Sequence, residues 1–325
     1  MNQPSNAVDR GGPQSPRPGE RAEPPSHRRR RRGGGRRGAD GAPVVPDVEF
    51  TSYYGRPVVK ASPWESDIPA YLFLGGLAAG SSLLAAGADL TDRPALRRTG
   101  RLGALVGITL SFGALVHDLG RPERFVNMLR VAKPTSPMSV GTWILTVYGP
   151  AAGLAGAAEL TGLLPRRLRW AGRLLDALAR PAGLAAAGIG PAVASYTAVL
   201  LADTATPAWH EAHRELPIVF VGSAAAAAGG LGMLGAPPDQ AGPARRLAVV
   251  GAAVELVAEH RMEHSMGLAA ETLHDGKAGG LMRASKALTA GGAVVVALLG
   301  GRSRIAAGAG GLALLAGSAC TRFGV

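Results

Sequence analysis

The sequence predicts an all-α fold: a polytopic transmembrane bundle of about eight helices behind a disordered N-terminal tail. Three observations predict it. The chain is 47% hydrophobic and only 18% charged, and its mean hydropathy is +0.14 despite a very polar start. Apolar segments recur from Pro69 almost to the C-terminus. Gly (47 residues) and Ala pervade those segments, which suits close helix packing rather than lone anchoring. Helices are required because each backbone polar group must be satisfied without water.

Residues 1–60 are rich in Pro, Gly and Arg and lack apolar periodicity, so they read as a disordered tail. The basic run His27–Arg32 is either a lipid-surface tract or a solvated one. No apolar region follows it directly, as a cleavable signal peptide would require. Residues 61–325 read as the transmembrane domain, with apolar segments near 69–90, 100–117, 139–163, 182–203, 215–236, 244–262, 286–301 and 303–320. A span needs about twenty residues. The last two are therefore marginal, and 286–320 reads as two spans or as one helix with a re-entrant piece. Small residues recur four apart at Gly76 and Gly80, Gly103 and Gly107, and Gly149 and Gly153, a spacing that lets helix backbones approach. Gly190-Pro191 predicts a kink in the fourth span.

A single cysteine, Cys320, excludes an internal disulfide and a cysteine-built iron–sulfur cluster. The net charge of +12 resides in the tail and at the ends of apolar segments, which suits lipid headgroups rather than nucleic acid. The connectors alternate between two sides, carrying thirteen and ten basic residues. The positive-inside rule puts the first side in the cytoplasm. The basic tail argues the opposite, since translocating it is unfavourable.

The connector after the second span concentrates charge. His117, Asp118, Arg121, Glu123, Arg124, Asn127, Arg130 and Lys133 fall within seventeen residues, stiffened by Pro122, Pro134 and Pro137. That density suits a docking surface, a headgroup site, or both. A quinone needs hydrogen-bond donors at its carbonyls, a proton source and an apolar channel. His117, Asp118, Arg124 and Asn127 can supply donors and protons. Asp118 with Arg121 or Arg124 is equally readable as a structural ion pair. Ahead of the first span, Trp64 fits an interfacial residue, and Glu65 and Asp67 lie on the same side as the charged connector. His210 and His213 flank Glu211, a weak metal pattern with no third ligand fixed by spacing. Glu255 and Glu259 share a helix face inside the sixth span. Carboxylates there are costly and mark candidate proton-path residues. His260 and His264 would need histidines on a facing helix to hold haem.

The run His117-Asp-Leu-Gly-Arg-Pro-Glu-Arg-Phe, followed by Lys133-Pro-Thr-Ser-Pro-Met-Ser-x-Gly-x-Trp143 and preceded by Tyr71-Leu-Phe-Leu-Gly-Gly-Leu-Ala-Ala-Gly-Ser-Ser-Leu-Leu84, resembles the NrfD/PsrC family. These are integral membrane subunits of polysulfide reductase, nitrite reductase and related molybdopterin oxidoreductase complexes. The resemblance covers residues 69–150. It implies a multi-pass subunit of the cell (plasma) membrane with a quinol site in the first four helices and no haem or iron–sulfur cluster of its own. It also implies a ferredoxin-like iron–sulfur partner docked on the side of the charged connector, with a molybdopterin catalytic subunit beyond. Menaquinone or ubiquinone would be an exchangeable substrate, and this chain would hold no catalytic centre besides that site. Family members often carry a polar residue or histidine just ahead of the first span. Here Trp64-Glu65-Ser66-Asp67 lacks histidine, so Glu65 or Asp67 stands in its place. The quinone candidates are then Asp67, Glu65, His117, Asp118, Arg124 and Asn127, and the docking candidates are Arg121, Glu123, Arg130 and Lys133. Two other readings are a secondary transporter, hinted at by Gly190-Pro191 and Glu255, and a purely structural anchor.

Overall fold

The computed structural model describes residues 64–325, apart from the side chains of Arg124 and Arg166. The expected disordered tail, residues 1–60, lies outside the described residues. Those described form α1 (Asp67–Leu90), α2 (Pro94–Asp118), α3 (Pro137–Ala158), α4 (Arg169–Ala202), the short α5 (Pro207–Glu211), α6 (Leu216–Gly235), α7 (Gly242–Ser265), α8 (Gly276–Leu299) and α9 (Arg304–Gly324). Proline in the first turn of α2, α3, α6 and α7 suits helix starts, because its missing N–H would be unpaired there anyway. Gly120, at φ +64°, turns the chain out of α2 in a conformation that a side chain would strain.

Among the described residues six helices are long and apolar enough to cross a membrane: α1, α2, α4, α6, α8 and α9. Of the other two long helices, α3 is diluted by Ser, Thr, Gly and Pro, and α7 carries Arg245, Arg246, Glu255, Glu259 and Glu263. The last two apolar segments are separate helices of 24 and 21 residues, not one helix with a re-entrant piece. The sequence pattern understates α8 because Lys277, Arg283 and Lys286 mask its first three turns. Helix α4 continues unbroken across Pro181 and Pro191.

Helices α1–α4 pack as one group and α6–α9 as another, with α6 against α1, α2 and α4. A Cβ on Gly80 would lie 2.7 Å from the Ala224 carbonyl oxygen, and one on Gly107 would lie 3.0 Å from that of Leu74. Gly149 meets the Phe112 ring, whereas Gly153 faces open space, so the spacing there carries no packing. Contacts just as close join α6 to α7 and α9. A Cβ on Gly222 would lie 2.6 Å from the Glu255 nitrogen, one on Gly251 2.5 Å from the Ala226 nitrogen, and one on Gly230 2.6 Å from the Gly311 carbonyl oxygen.

At the end of the first group away from the charged connector, five residues from four helices form an ion cluster. Arg101 reaches Glu159 at 3.0 Å and Asp89 at 3.6 Å, Arg97 reaches Glu159 at 3.1 Å, and Arg180 reaches Asp89 at 3.6 Å. Asp89 and Glu159, at the ends of α1 and α3, are largely covered, with side chains 13% and 10% exposed.

At the α6–α7 contact the opposing atoms are backbone and cannot yield. Gly251→Ala therefore lowers stability by about 1–3 kcal/mol, as overpacking does. Gly153→Ala leaves it unchanged or raises it by up to about 1 kcal/mol. Thermal unfolding of the two variants in detergent, followed by tryptophan fluorescence, separates them; equal melting temperatures would contradict the packing described.

Candidate functional site

A cavity of about 500 Å³ opens between α1, α2, the charged connector, α3 and α4. Trp64, Ile68, Tyr71 and Leu72 form one wall, Phe112, Leu115 and Asp118 a second, and Phe125, Met128 and Leu129 the roof. On α3 it extends from Met138 to Pro150, about 18 Å along the helix axis at 1.5 Å per residue. The connector folds over it as a 3₁₀ segment, Pro122–Leu129. Phe125 meets Phe112 edge-on at 6.3 Å, which holds the roof to α2. Lys133 N–H donates to Ser139 Oγ at 2.9 Å, and that hydroxyl donates to the Val131 carbonyl at 3.0 Å, closing the connector onto α3.

The lining is apolar apart from a few groups. Thr142 and Thr146 donate to carbonyls of their own helix. The other polar side chains in the lining include the Asp118 carboxylate, the Thr197 hydroxyl and the hydroxyl pair of Tyr71 and Tyr196, which hydrogen-bond each other across α1 and α4. Ser111 Oγ donates to the Tyr71 carbonyl at 3.1 Å. Gly141 admits the Tyr196 ring, which a Cβ at that position would overlap. Behind this layer Ser82 and Tyr148 bond at 2.8 Å in the buried core. At the mouth Trp64 stacks on Trp209 at 5.7 Å, and the Trp209 indole donates to the Val325 carbonyl at 2.8 Å.

Of the quinone candidates, only Asp118 lines this cavity with a described side chain. His117 points away, 81% exposed, with Nδ1 2.7 Å from Asp67 Oδ2. Asp67 lies near enough to Asp118 to act on it electrostatically. Glu65 and Asn127 are exposed and outside the lining. The Arg124 side chain lies outside the described residues. The docking candidates Arg121, Glu123, Arg130 and Lys133 are all exposed, and none forms an ion pair among the described residues. Asp118 likewise makes no ion pair with Arg121. The sequence reading missed Tyr71, Tyr196 and Thr142. Their one signal was a hydroxyl-bearing residue inside an otherwise apolar span.

A second polar group lies among α6–α9. Glu255 and Glu259 are fully buried. Thr321 donates to Glu255 at 2.7 Å and shares its oxygen with Ser285 at 2.6 Å, while Ser223 donates to Ser318 at 2.8 Å. Thr321 has one proton to give, so Ser285 must be the donor in its pair. Lys286 lies 3.9 Å from Glu259 and 2.6 Å from Glu263. Arg322 lies in the last turn of α9. It is 3% exposed inside α9, lies over the Phe220 ring at 3.6 Å and donates to the Phe220 carbonyl at 2.8 Å. His210 and His213 bind the backbone carbonyls of Ala202 and His210, and His260 and His264 are exposed. Among the described residues no three His, Cys, Asp or Glu side chains converge as a metal site would need.

The family model described as "Polysulphide reductase, NrfD" matches residues 58–235, from ahead of α1 to the end of α6. No curated protein matches the chain.

Arg322 and Glu255 act on one another electrostatically across the α6–α9 group. Glu255→Leu leaves that guanidinium buried without its acid, at a cost of about 3 kcal/mol. Adding Arg322→Leu restores at least about 1 kcal/mol, a coupling readable in a double-mutant cycle of detergent unfolding. Strictly additive losses would show that the two charges stand alone.

Proposed function

The chain belongs to the polysulphide reductase NrfD family of oxidoreductase-complex membrane subunits, and from that premise we propose that it is the quinone-reactive subunit of a respiratory complex. It exchanges electrons with a ferredoxin-like iron–sulfur subunit, which passes them to or from a molybdopterin catalytic subunit, and it resides in the cell membrane. The observation that supports this reading is the long apolar cavity with an ionisable group in its wall. A quinone brings a polar ring and an apolar tail. The cavity offers a matching distribution: one carboxylate, one tyrosine hydroxyl pair and three threonines in about 18 Å of otherwise apolar lining.

In quinol oxidation the headgroup loses two protons and two electrons. Asp118 accepts the two protons in turn, releasing the first to water through the Asp67–His117 pair beside it before it takes the second. The Tyr71–Tyr196 pair hydrogen-bonds the opposite oxygen. Both electrons leave to the partner's cluster, and quinone reduction runs the same steps backward. The exposed, unpaired charges of Arg121, Glu123, Arg130 and Lys133 form the partner's docking face on the roof of the cavity. Glu255 and Glu259, with the Ser285–Thr321 hydroxyl chain, carry protons in the second helix group. A transporter would need helices broken near the midplane, and α4 and α7 run unbroken.

In the assembled complex, Asp118→Asn reduces quinol-dependent turnover on the order of 10²-fold, the usual scale of a lost general base. The subunits still co-purify, and turnover with an artificial donor to the iron–sulfur subunit is retained. Unchanged quinol turnover would sink the headgroup role. Reversing the roof charges with Arg130→Glu and Lys133→Glu instead reduces co-purification of the iron–sulfur subunit without altering the membrane subunit's own melting temperature. Intact co-purification would remove the connector from the interface.

A further inference from the structure

Helix α4 has 34 residues, so it is about 51 Å long, against a hydrocarbon core of about 30 Å. Its C-terminal end, Ala202, lies on the side of the cavity. The surplus is therefore at the N-terminal end, where Arg169 to Arg180 extend into the headgroup layer of the opposite face.

A second, polar cavity of about 590 Å³ lies there, between the α3–α4 connector and the first turns of α4. Arg169 and Arg173 line it one turn apart. Both are exposed, and neither pairs with a carboxylate among the described residues. Asp176 is the one acid in the lining, and it lies in the wall, 3.2 Å from a Thr161 hydroxyl whose one proton it shares with the Ala158 carbonyl at 3.0 Å. Gly172 forms the floor, where a side chain would fill the space in front of Thr161 and Leu164. On the neighbouring face of α4, Trp170, Leu174 and Leu178 are 62%, 54% and 39% exposed at a spacing of four residues. They form an apolar stripe that starts beside the arginines and descends toward the hydrocarbon.

Two unpaired guanidinium groups at headgroup depth call for a phosphate, since the planar fork of arginine suits its oxygens. The adjoining stripe calls for an acyl chain. From these together we infer that the cavity binds the phosphodiester headgroup of an anionic phospholipid, with one acyl chain laid along Trp170, Leu174 and Leu178. A soluble phosphate would use the arginines and leave the stripe uncovered. Basic pockets between membrane helices are suited to such headgroups. The site is separate from the quinone cavity and does not depend on that reading.

The test uses the full chain, purified and delipidated in detergent. Retained lipid is measured by native mass spectrometry, and thermal unfolding is followed with added phosphatidylglycerol, phosphatidylcholine or inorganic phosphate. Phosphatidylglycerol is expected to bind and raise the melting temperature; the other two are not. Arg169→Gln with Arg173→Gln is expected to weaken phosphatidylglycerol binding about 30-fold. Gly172→Leu keeps both charges but fills the floor, and it should weaken binding likewise. Arg98→Gln with Arg302→Gln removes two exposed arginines elsewhere and should leave binding intact. An equal response to inorganic phosphate would make this a soluble-anion site and overturn the lipid assignment. Equal losses in the Arg98/Arg302 variant, or full binding by Gly172→Leu, would reduce the effect to general surface charge and overturn the pocket.

Discussion

The close backbone approach of α6 to its neighbours is the constraint on which the rest depends. In a bilayer the lipid is as apolar as the helices, so burying apolar surface gives helices little reason to associate; packing contact has to do it. The run Gly222-Ser-Ala-Ala-Ala-Ala-Ala-Gly-Gly230 removes side-chain bulk from the middle of α6, which then touches α1, α2 and α4 on one side and α7 and α9 on the other. Ala224 and Ala228 meet Gly80, Gly222 meets the α7 backbone, and Gly230 meets Gly311. Bulk at these points would push the groups apart, and the buried polar pairs of either side would lose their geometry.

Those pairs show why the spacing matters. A hydroxyl pair such as Ser223–Ser318, at 2.8 Å, joins α6 to α9, and Thr321 reaches Glu255 at 2.7 Å from α9 to α7. Hydrogen bonds of this kind fail over a few tenths of an ångström, and each unmade one leaves a polar group where no water can replace it. Arg322 illustrates the limit. One of its nitrogens is bonded and its plane is covered by Phe220, yet Nε and Nη1 have no hydrogen-bond partner among the described residues. Such a group is tolerated because the acid on α7 is held nearby by the same close contacts.

Much of the architecture was legible in the sequence because a membrane span announces itself by length. The segments from 69–90 to 303–320 each correspond to a helix, with errors at the ends. The largest, at the starts of α4 and α8, came from charged residues (Arg169, Arg173, Asp176 and Arg180 in the one, Lys277, Arg283 and Lys286 in the other) that the hydropathy pattern discounts although they lie on a continuing helix. The site was less legible. Asp118 was found because charge beside an apolar span is conspicuous. Tyr71 and Tyr196 are 125 positions apart, and only the crossing of α1 and α4 brings their hydroxyls together. Gly141 was unreadable for the same reason: its role is to be absent where the Tyr196 ring passes, which no single sequence reveals. His117 misled in the opposite way. It adjoins Asp118 in the chain, but successive residues on a helix point about 100° apart, and it faces Asp67 instead of the cavity.

The two ends of the α1–α4 group are built on opposite principles. At one end Asp89 and Glu159 are held by Arg97, Arg101 and Arg180, charge against charge among four helices, with Arg101 only 8% exposed on its side chain. A network of this kind fixes the helices better than isolated pairs do, because all its ions but Arg180 have more than one partner. At the other end the helices part around the cavity, and what crosses the gap is a single tyrosine pair and an aromatic roof. The carboxylate there, Asp118, has no arginine clamped to it among the described residues. A carboxylate held by two guanidinium groups stays charged and gives nothing to a ligand; one left in an apolar wall can change its proton. The clamp therefore fits the closed end, and a carboxylate without one among the described residues fits the open one. The helices are tied where rigidity is needed, so that the end facing the charged connector can remain open.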